Sequence, residues 1–157
     1  MNAQVKIETP TSPGYWEDGY GWTIAQVELL QQKRFDSIDW QHIIGEIESM
    51  GSNEYNALES ALRVLLTHML KWEYQPAFRS RSWYLTIREQ HRQYRRRLDR
   101  NPSLKSRLDE ARDEAYRQAR VAAQAETGFA LDIFPAEPPG WNVIENPPAT
   151  LDDILDR

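Results

Sequence analysis

The chain contains no cysteine among its 157 residues. A disulfide framework and a thiolate nucleophile are therefore both excluded. Its seven glycines are scattered, so there is no glycine-rich phosphate loop, and no Gly-x-Ser-x-Gly motif marks a serine nucleophile. No apolar run approaches the roughly 20 residues of a transmembrane helix, and residues 1–14 lack the features of a signal peptide. These absences favour a cytoplasmic protein with no membrane association, and we predict no cofactor and no metal site.

The length and the apolar pattern indicate one helical domain. The chain has 157 residues, of which 40% are hydrophobic and 11% aromatic, enough for a single core. Apolar residues recur at steps of three and four, and no strand-like alternation lies between hairpin turns. We therefore predict an all-α fold, a single-domain bundle of about five helices over residues 15–128. Residues 1–14 are predicted to be a flexible N-terminus, because they are polar and contain two prolines and a glycine.

Five segments show helical periodicity, at residues 20–34, 40–50, 53–75, 82–100 and 103–126. The second carries an apolar stripe from Trp40 to Met50, and Gly51 is predicted to end it as a left-handed C-cap residue. The third has apolar residues on two adjacent faces, which is typical of a central helix. Pro76 is expected to end it. Gly128 is expected to end the fifth helix.

Residues 129–157 differ in composition from the helices before them. Five of the nine prolines lie between Pro135 and Pro148, yet large apolar residues are interspersed among them. A disordered tail would rarely carry so many such residues. We predict an extended Pro-rich C-terminal arm packed on the bundle, followed by a short terminal helix through Leu151, Ile154 and Leu155.

Positive charge is concentrated in the middle of the chain. Residues 71–100 carry nine basic and three acidic side chains, a net charge of +6, between acidic segments at 1–70 and 101–157. Two interpretations stay open. The acidic segments can neutralise the basic one within the fold, or the basic hairpin 71–100 can present an exposed face to an anionic partner. For the Arg-rich part we expect salt bridges with Asp99 and with carboxylates at positions 109, 110, 113 and 114.

Two arginines beside the start of a predicted helix, Arg79 and Arg81, require a nearby negative group, because the helix N-terminus is itself positive. Ser80 and Ser82 are both candidate N-caps. The negative group is either an internal carboxylate, with Glu46, Glu48, Glu54 and Glu89 as candidates, or a bound phosphate or acidic partner. The hypothetical binding residues are Arg79, Ser80, Arg81, Ser82, His68, Trp72, Trp83, Glu46, Glu48 and Glu89.

Two other functions remain open. His68 lies on a half-apolar helix face, where a histidine is usually a hydrogen-bonded core residue. With Glu46, Glu48 or Glu54 beside it, His68 would instead fit a metal- or acid/base-dependent hydrolase, and His42 and Glu46 have the spacing to share a metal. The Arg-rich helix 88–100 fits a nucleic-acid-binding protein, although the chain is acidic overall and has no recognised nucleic-acid-binding motif.

Four blocks of the sequence carry a family resemblance: EIESMG at 46–51, HMLKWEYQP at 68–76, RSRSW at 79–83 and TIREQ at 86–90. Together they resemble the bacterial family catalogued as domain of unknown function number twenty-nine, over about residues 15–135. Met50 and Met69 stand where the resemblance leads us to expect leucine. The resemblance implies a compact helical fold and brings no activity and no catalytic residue.

These observations favour a small cytoplasmic, non-enzymatic binding or regulatory module. Its expected partner, an acidic protein or a phosphate-bearing ligand, would meet the basic hairpin 71–100.

Overall fold

The structure is a computed structural model, and it describes residues 13–152. These residues form five α-helices joined by short 3-10 segments, and they contain no β-strand. The helices are α1 (Gly19–Gln31), α2 (Trp40–Tyr74), α3 (Arg81–Arg100), α4 (Leu108–Thr127) and α5 (Trp141–Glu145). The prediction of an all-α fold with about five helices is confirmed. None of the helices in this range combines the length and the hydrophobicity that a membrane span requires.

The helix α2 differs from the prediction, because it is one helix of 35 residues and not two helices separated at Gly51. Gly51 lies inside this helix and does not have the positive φ of a left-handed C-cap residue. Among the described glycines, only Gly128 has a positive φ. A glycine in a helix costs only about 1 kcal/mol relative to alanine. The following residues continue the helical hydrogen bonding, so Gly51 does not break it. The C-cap prediction at Gly51 is therefore wrong.

The described chain divides inside α2 into two compact units, with the boundary between residues 50 and 51. In the first unit, Asp39 is the centre of a polar network. Its carboxylate accepts hydrogen bonds from the indole of Trp22 (3.2 Å) and from the ring of His42 (2.7 Å), while its backbone N–H donates to the Gln26 side chain (2.8 Å). The hydrogen bond from His42 is the main reason why the pKa of Asp39 lies below its usual value. The apolar stripe predicted from Trp40 to Met50 is largely exposed.

The second unit has its core on α2. The predicted seam of Leu58, Leu62, Leu65, Leu66 and Met69 is buried throughout. Each such side chain contributes about 1.5–3 kcal/mol when it is removed from water. In α4 the fully buried residues include four alanines, at positions 111, 115, 119 and 123, which belong to the same core cluster.

Helix α4 begins later than predicted and ends where predicted. Residues 102–107 form a 3-10 segment that starts at Pro102, so the α-helix starts at Leu108 and not at Ser103. Gly128 ends it in the left-handed conformation, with φ 76°. The glycine permits this conformation because it has no Cβ.

The C-terminal arm is fixed to α3 and α4 through its backbone. The Tyr116 hydroxyl donates to the carbonyl of residue 135 (2.9 Å), and Arg120 donates to the carbonyls of residues 131 (3.1 Å) and 134 (3.2 Å). Arg88 donates to the carbonyl of Ala149 (3.3 Å). Phe134 in this arm is buried in the core. Most of the predicted terminal helix and residues 1–12 of the predicted flexible N-terminus lie outside the described residues.

Candidate functional site

The candidate site is the basic surface of α3, which exists because this helix is strongly amphipathic. Ile87, Tyr94 and Leu98 are buried on one side, so the arginines between them lie on the other sides. Of the two candidate N-caps, Ser80 is the one used: its hydroxyl accepts a hydrogen bond from the backbone N–H of Trp83 (3.3 Å).

At the predicted anion site of residues 79–82, Arg79 contacts the end of α2. The Nε of Arg79 donates to the carbonyl oxygen of Trp72 (2.8 Å), and its guanidinium lies 5.2 Å from the centroid of the Trp72 ring. Trp72 itself is buried. Arg79 therefore binds the last turn of α2, where free carbonyls and the helix dipole favour a cation.

A second basic residue of the hairpin, Lys71, is neutralised inside the fold. Its ammonium group lies 2.5 Å from a carboxylate oxygen of Glu126 and 4.4 Å from the centroid of the Trp83 ring, and the residue is buried. Trp83 thus packs on Lys71 and is half-buried.

Several arginines of α3 form salt bridges, but not with the acidic residues that the sequence suggested. Arg92 binds Glu89 through both of its carboxylate oxygens (2.8 and 2.9 Å), and Arg95 pairs with Glu145 of α5. The expectation that the carboxylates at 109, 110, 113 and 114 pair with α3 is wrong. These carboxylates pair with arginines at 107, 112 and 117, at most three residues away. Neighbours on one helix already lie within reach of each other.

The side chains of three arginines of α3 form no ion pair and no hydrogen bond within residues 13–152. These are Arg81, Arg96 and Arg100. Two of these, Arg96 and Arg100, lie one turn apart near the end of the helix. With Arg97 they line a cleft of about 300 Å³. We call this pocket the α3 cleft; its lining residues are Glu54, Gln93, Arg96, Arg97, Arg100 and Asn101.

The α3 cleft contains three guanidinium groups and a single carboxylate. Glu54 accepts hydrogen bonds from the side chains of Asn101 (3.1 Å) and Arg97 (3.5 Å). The Nε of Arg97 is buried and has no hydrogen-bond partner within the described residues. The helix C-terminus stabilises cations, which is sufficient reason for one or two arginines. Three of them against one carboxylate leave two positive charges uncompensated.

The ring of His68 forms its hydrogen bond within α2. Its Nδ1 donates to the carbonyl of Val64 (2.9 Å), and burial is the main cause that lowers its pKa. Glu54 lies 14 residues earlier on α2, which at about 1.5 Å per residue is about 21 Å along the axis. In the first unit, the carboxylate of Glu46 accepts a hydrogen bond from the hydroxyl of Tyr15. The hydrolase alternative stays a prediction.

The spacing of His42 and Glu46 for a shared metal also finds no support in the geometry. His42 contacts Asp39, as described above, and stacks on the ring of Tyr15 at a centroid distance of 4.2 Å. Across residues 13–152, no group of three or more histidine, aspartate and glutamate side chains is placed to hold a metal ion. Glu48, the remaining candidate carboxylate, is exposed in the first unit.

Sequence reasoning missed a second polar cluster, in which the hydroxyl of Tyr94 and the guanidinium of Arg95 both donate to Glu145. The ring of His91 lies 3.7 Å from the same carboxylate. These donors hold the pKa of Glu145 below its usual value even though burial, the largest single effect, acts in the opposite direction. Glu145 lies about 50 residues along the chain from its partners, so no local pattern could have revealed the cluster.

Comparison with known proteins places the chain in a family. No curated protein and no solved structure matches it. A family model, described as Domain of unknown function DUF29, matches residues 15–157, so the match extends through the arm beyond the resemblance seen in the sequence blocks. The chain therefore belongs to the family described as Domain of unknown function DUF29.

Proposed function

We propose that this protein is a small cytoplasmic, non-enzymatic binding module whose α3 cleft binds an oxyanion-bearing segment of a protein partner. One observation carries the proposal: the side chains of Arg96 and Arg100 line a cleft of about 300 Å³ and form no ion pair and no hydrogen bond within the described residues. The absence of cysteine supports the cytoplasmic location.

The chemistry of the cleft suits a carboxylate or a phosphate group. Each guanidinium presents a planar set of N–H donors that matches two oxygens of such a group. The Asn101 amide already donates to Glu54 and to the carbonyl of Arg97, so the donors for such a group are the guanidinium groups. Arginine clusters of this kind are a recurrent way to recognise acidic or phosphorylated peptide segments. The volume lies at the small end of ligand pockets, which fits one or two oxyanion groups and not a large ligand.

The surrounding charges favour a short acidic segment over a nucleic acid. The chain has a net charge of −5, and its acidic segments flank the basic hairpin on both sides. On α3, Arg92 and Arg95 are already engaged with carboxylates. A nucleic acid gains affinity by neutralising several phosphates at once, whereas on the described α3 only the side chains of Arg81, Arg96 and Arg100 have neither an ion pair nor a hydrogen bond.

Fluorescence anisotropy with three labelled peptides tests the proposal. One peptide is rich in glutamate, one carries phosphoserines, and one is an uncharged peptide of equal length. We expect the wild type to bind one or both anionic peptides and not the uncharged one. The double variant Arg96→Gln/Arg100→Gln is expected to bind about 5- to 25-fold more weakly, since each exposed charge pair contributes up to about 1 kcal/mol.

Arg81→Gln is the matched control, because it removes the same charge from an unpaired arginine of the same helix. It lies 15 residues from Arg96, about 22 Å along the axis, and its affinity should equal that of the wild type. Equal weakening by both variants would show that only net charge matters and would contradict a specific cleft. Tighter binding of a single-stranded oligonucleotide than of either peptide would assign the surface to nucleic acid.

A further inference from the structure

The second unit contains an apolar cavity of about 180 Å³ between α2, α4 and the C-terminal arm. Helix α2 contributes Leu66, Met69 and Leu70, and α4 contributes Tyr116. The arm forms the remaining wall, with Val143 and the proline rings at 135, 139 and 148. Two acidic residues, Glu73 and Glu137, complete the lining.

The cavity is part of the architecture, because its walls are fixed by hydrogen bonds. Tyr116 lines the cavity and at the same time holds the carbonyl of Pro135 at 2.9 Å. Arg120 holds the carbonyls of residues 131 and 134 just before that proline. Proline also restricts the backbone of the arm, since its ring fixes φ. The arm is therefore held at a fixed distance from α2 and does not collapse onto it.

The size of the cavity is sufficient for a small organic molecule. Well-packed protein interiors contain few voids larger than a water molecule. An engineered aliphatic cavity of about 150 Å³ stays dry and binds benzene. A cavity of about 180 Å³ therefore accommodates one six-membered ring or a short branched chain, together with a small substituent.

The charges at this cavity are of one sign. Glu73 and Glu137 are both exposed, and neither has an ion pair or a hydrogen-bond partner within residues 13–152. No lysine, arginine or histidine is among the lining residues. The pKa of the Tyr116 hydroxyl is raised to about 12, mainly by burial; the guanidinium of Arg120 opposes this rise, and the carboxylate of Glu73 adds to it.

We propose that this cavity binds a small amine, with an apolar body of one ring or a short branched chain inside and an ammonium group held between Glu73 and Glu137. Burial of the apolar body provides the main driving force. The two carboxylates select a cation over a neutral or anionic molecule of the same shape. This site is separate from the α3 cleft, and the proposal does not depend on the function assigned to that cleft.

Isothermal titration calorimetry with three ligands of one shape tests the proposal. Benzylamine is the cationic probe, benzyl alcohol the neutral one and benzoate the anionic one. We expect benzylamine to bind with a Kd of about 1 mM or below, the range that a ligand of this size reaches. Benzyl alcohol should bind several-fold more weakly, and benzoate should not bind.

Four variants identify the groups responsible. Glu73→Gln and Glu137→Gln should each weaken benzylamine about two- to fivefold, the range for an exposed charge pair, and leave benzyl alcohol unchanged. Asp99→Asn, which removes an exposed carboxylate outside the cavity, should change neither. Val143→Trp places an indole ring in the cavity and should abolish the binding of benzylamine and of benzyl alcohol.

Methyl resonances of the wild type locate the ligand without any substitution, so the test does not depend on the folding of Val143→Trp. Benzylamine should shift the methyl signals of Met69 and Leu70 and leave those of Ile87 unchanged. Absence of binding by the folded wild type would overturn the proposal. Equal affinity for benzylamine and benzyl alcohol, or methyl shifts elsewhere, would overturn it as well.

Discussion

Replacing Glu145 by alanine should destabilise the second unit by more than an ordinary surface substitution. Glu145 in α5 is partly exposed, with a side-chain exposure of 32%, but one of its partners is not. Tyr94 is fully buried, and its hydroxyl donates to this carboxylate. Without Glu145 the buried hydroxyl loses its acceptor.

The size of the effect follows from the two bonds that are lost. A hydrogen bond to a charged group contributes about 1.5–3 kcal/mol, and a buried donor left unpaired costs about 1–3 kcal/mol. The bond to Arg95 adds little, because the arginine side chain is 52% exposed and such pairs contribute at most about 1 kcal/mol. We expect a loss of about 2–3 kcal/mol in the free energy of unfolding. For a protein of this length that corresponds to a fall in Tm of about 4–12 °C.

A double-mutant cycle read by urea unfolding isolates the buried bond. Tyr94→Phe in the wild type should cost about 1–2 kcal/mol, because the hydrogen bond to the charged carboxylate is lost. In the Glu145→Ala background the same change should be neutral or stabilising, since it removes the unpaired hydroxyl. Glu110→Ala is the control: its carboxylate pairs with Arg107 at the surface, and we expect a change below about 0.5 kcal/mol.

Two results would refute this reasoning. One is an equal cost of Tyr94→Phe in both backgrounds, which would mean that the hydroxyl does not depend on Glu145. The other is a Glu145→Ala variant as stable as Glu110→Ala.

Further predictions concern two glycines and two histidines. Gly51→Ala should raise the free energy of unfolding by about 0.5–1 kcal/mol, because alanine is favoured inside a helix and a Cβ there meets no atom within 4 Å. Gly128→Ala should lower it by about 1 kcal/mol, because φ is 76° at that position; equal effects of the two changes in urea unfolding would contradict the continuous α2. Burial lowers the pKa of His68 and of His91 in the folded protein from 6.5. The unfolded chain therefore binds more protons below about pH 6.5, and stability should fall as the pH decreases from there. Thermal unfolding followed from pH 7 to pH 5 should show this fall, and His68→Gln combined with His91→Gln should reduce it.

Features that depend on neighbouring residues could be predicted from the sequence. The buried seam through Leu58 and Leu65 follows from the helical spacing of apolar residues. The cap at Ser80 follows from the serine hydroxyl, and the left-handed end at Gly128 follows from the absence of a Cβ in glycine. Gly51 shows the limit of such reasoning. Glycine predicts a left-handed C-cap at Gly51 as it does at Gly128, but the residues after Gly51 continue the helix. The local preference of glycine is too weak to decide between the end of a helix and its continuation.

Features that depend on distant residues could not be predicted. The net charge of +6 on residues 71–100 can be counted in the sequence, but the ion-pair partners of the individual side chains cannot be read from it. Arg95 pairs with a carboxylate 50 residues away, whereas nearer carboxylates pair within their own helix. The apolar cavity is likewise invisible in the sequence, because the arm that closes it comes from more than 60 residues beyond the wall on α2. Only the three-dimensional position of the arm brings Val143 opposite Leu66 and Met69.

The attachment of the C-terminal arm has a consequence for how its sequence can change. Helices α3 and α4 supply hydrogen-bond donors through Tyr116, Arg88 and Arg120, and at these three contacts the arm supplies main-chain oxygens. Every amino acid has such an oxygen, so the exposed Leu131 can be exchanged without loss of its bond, whereas Ala149 is fully buried and a larger side chain there would need space in the core. The five prolines between residues 135 and 148 have no N–H to donate, and proline is tolerated only at the edges of β-sheets, so this part of the arm is poorly suited to extend a β-sheet of another molecule.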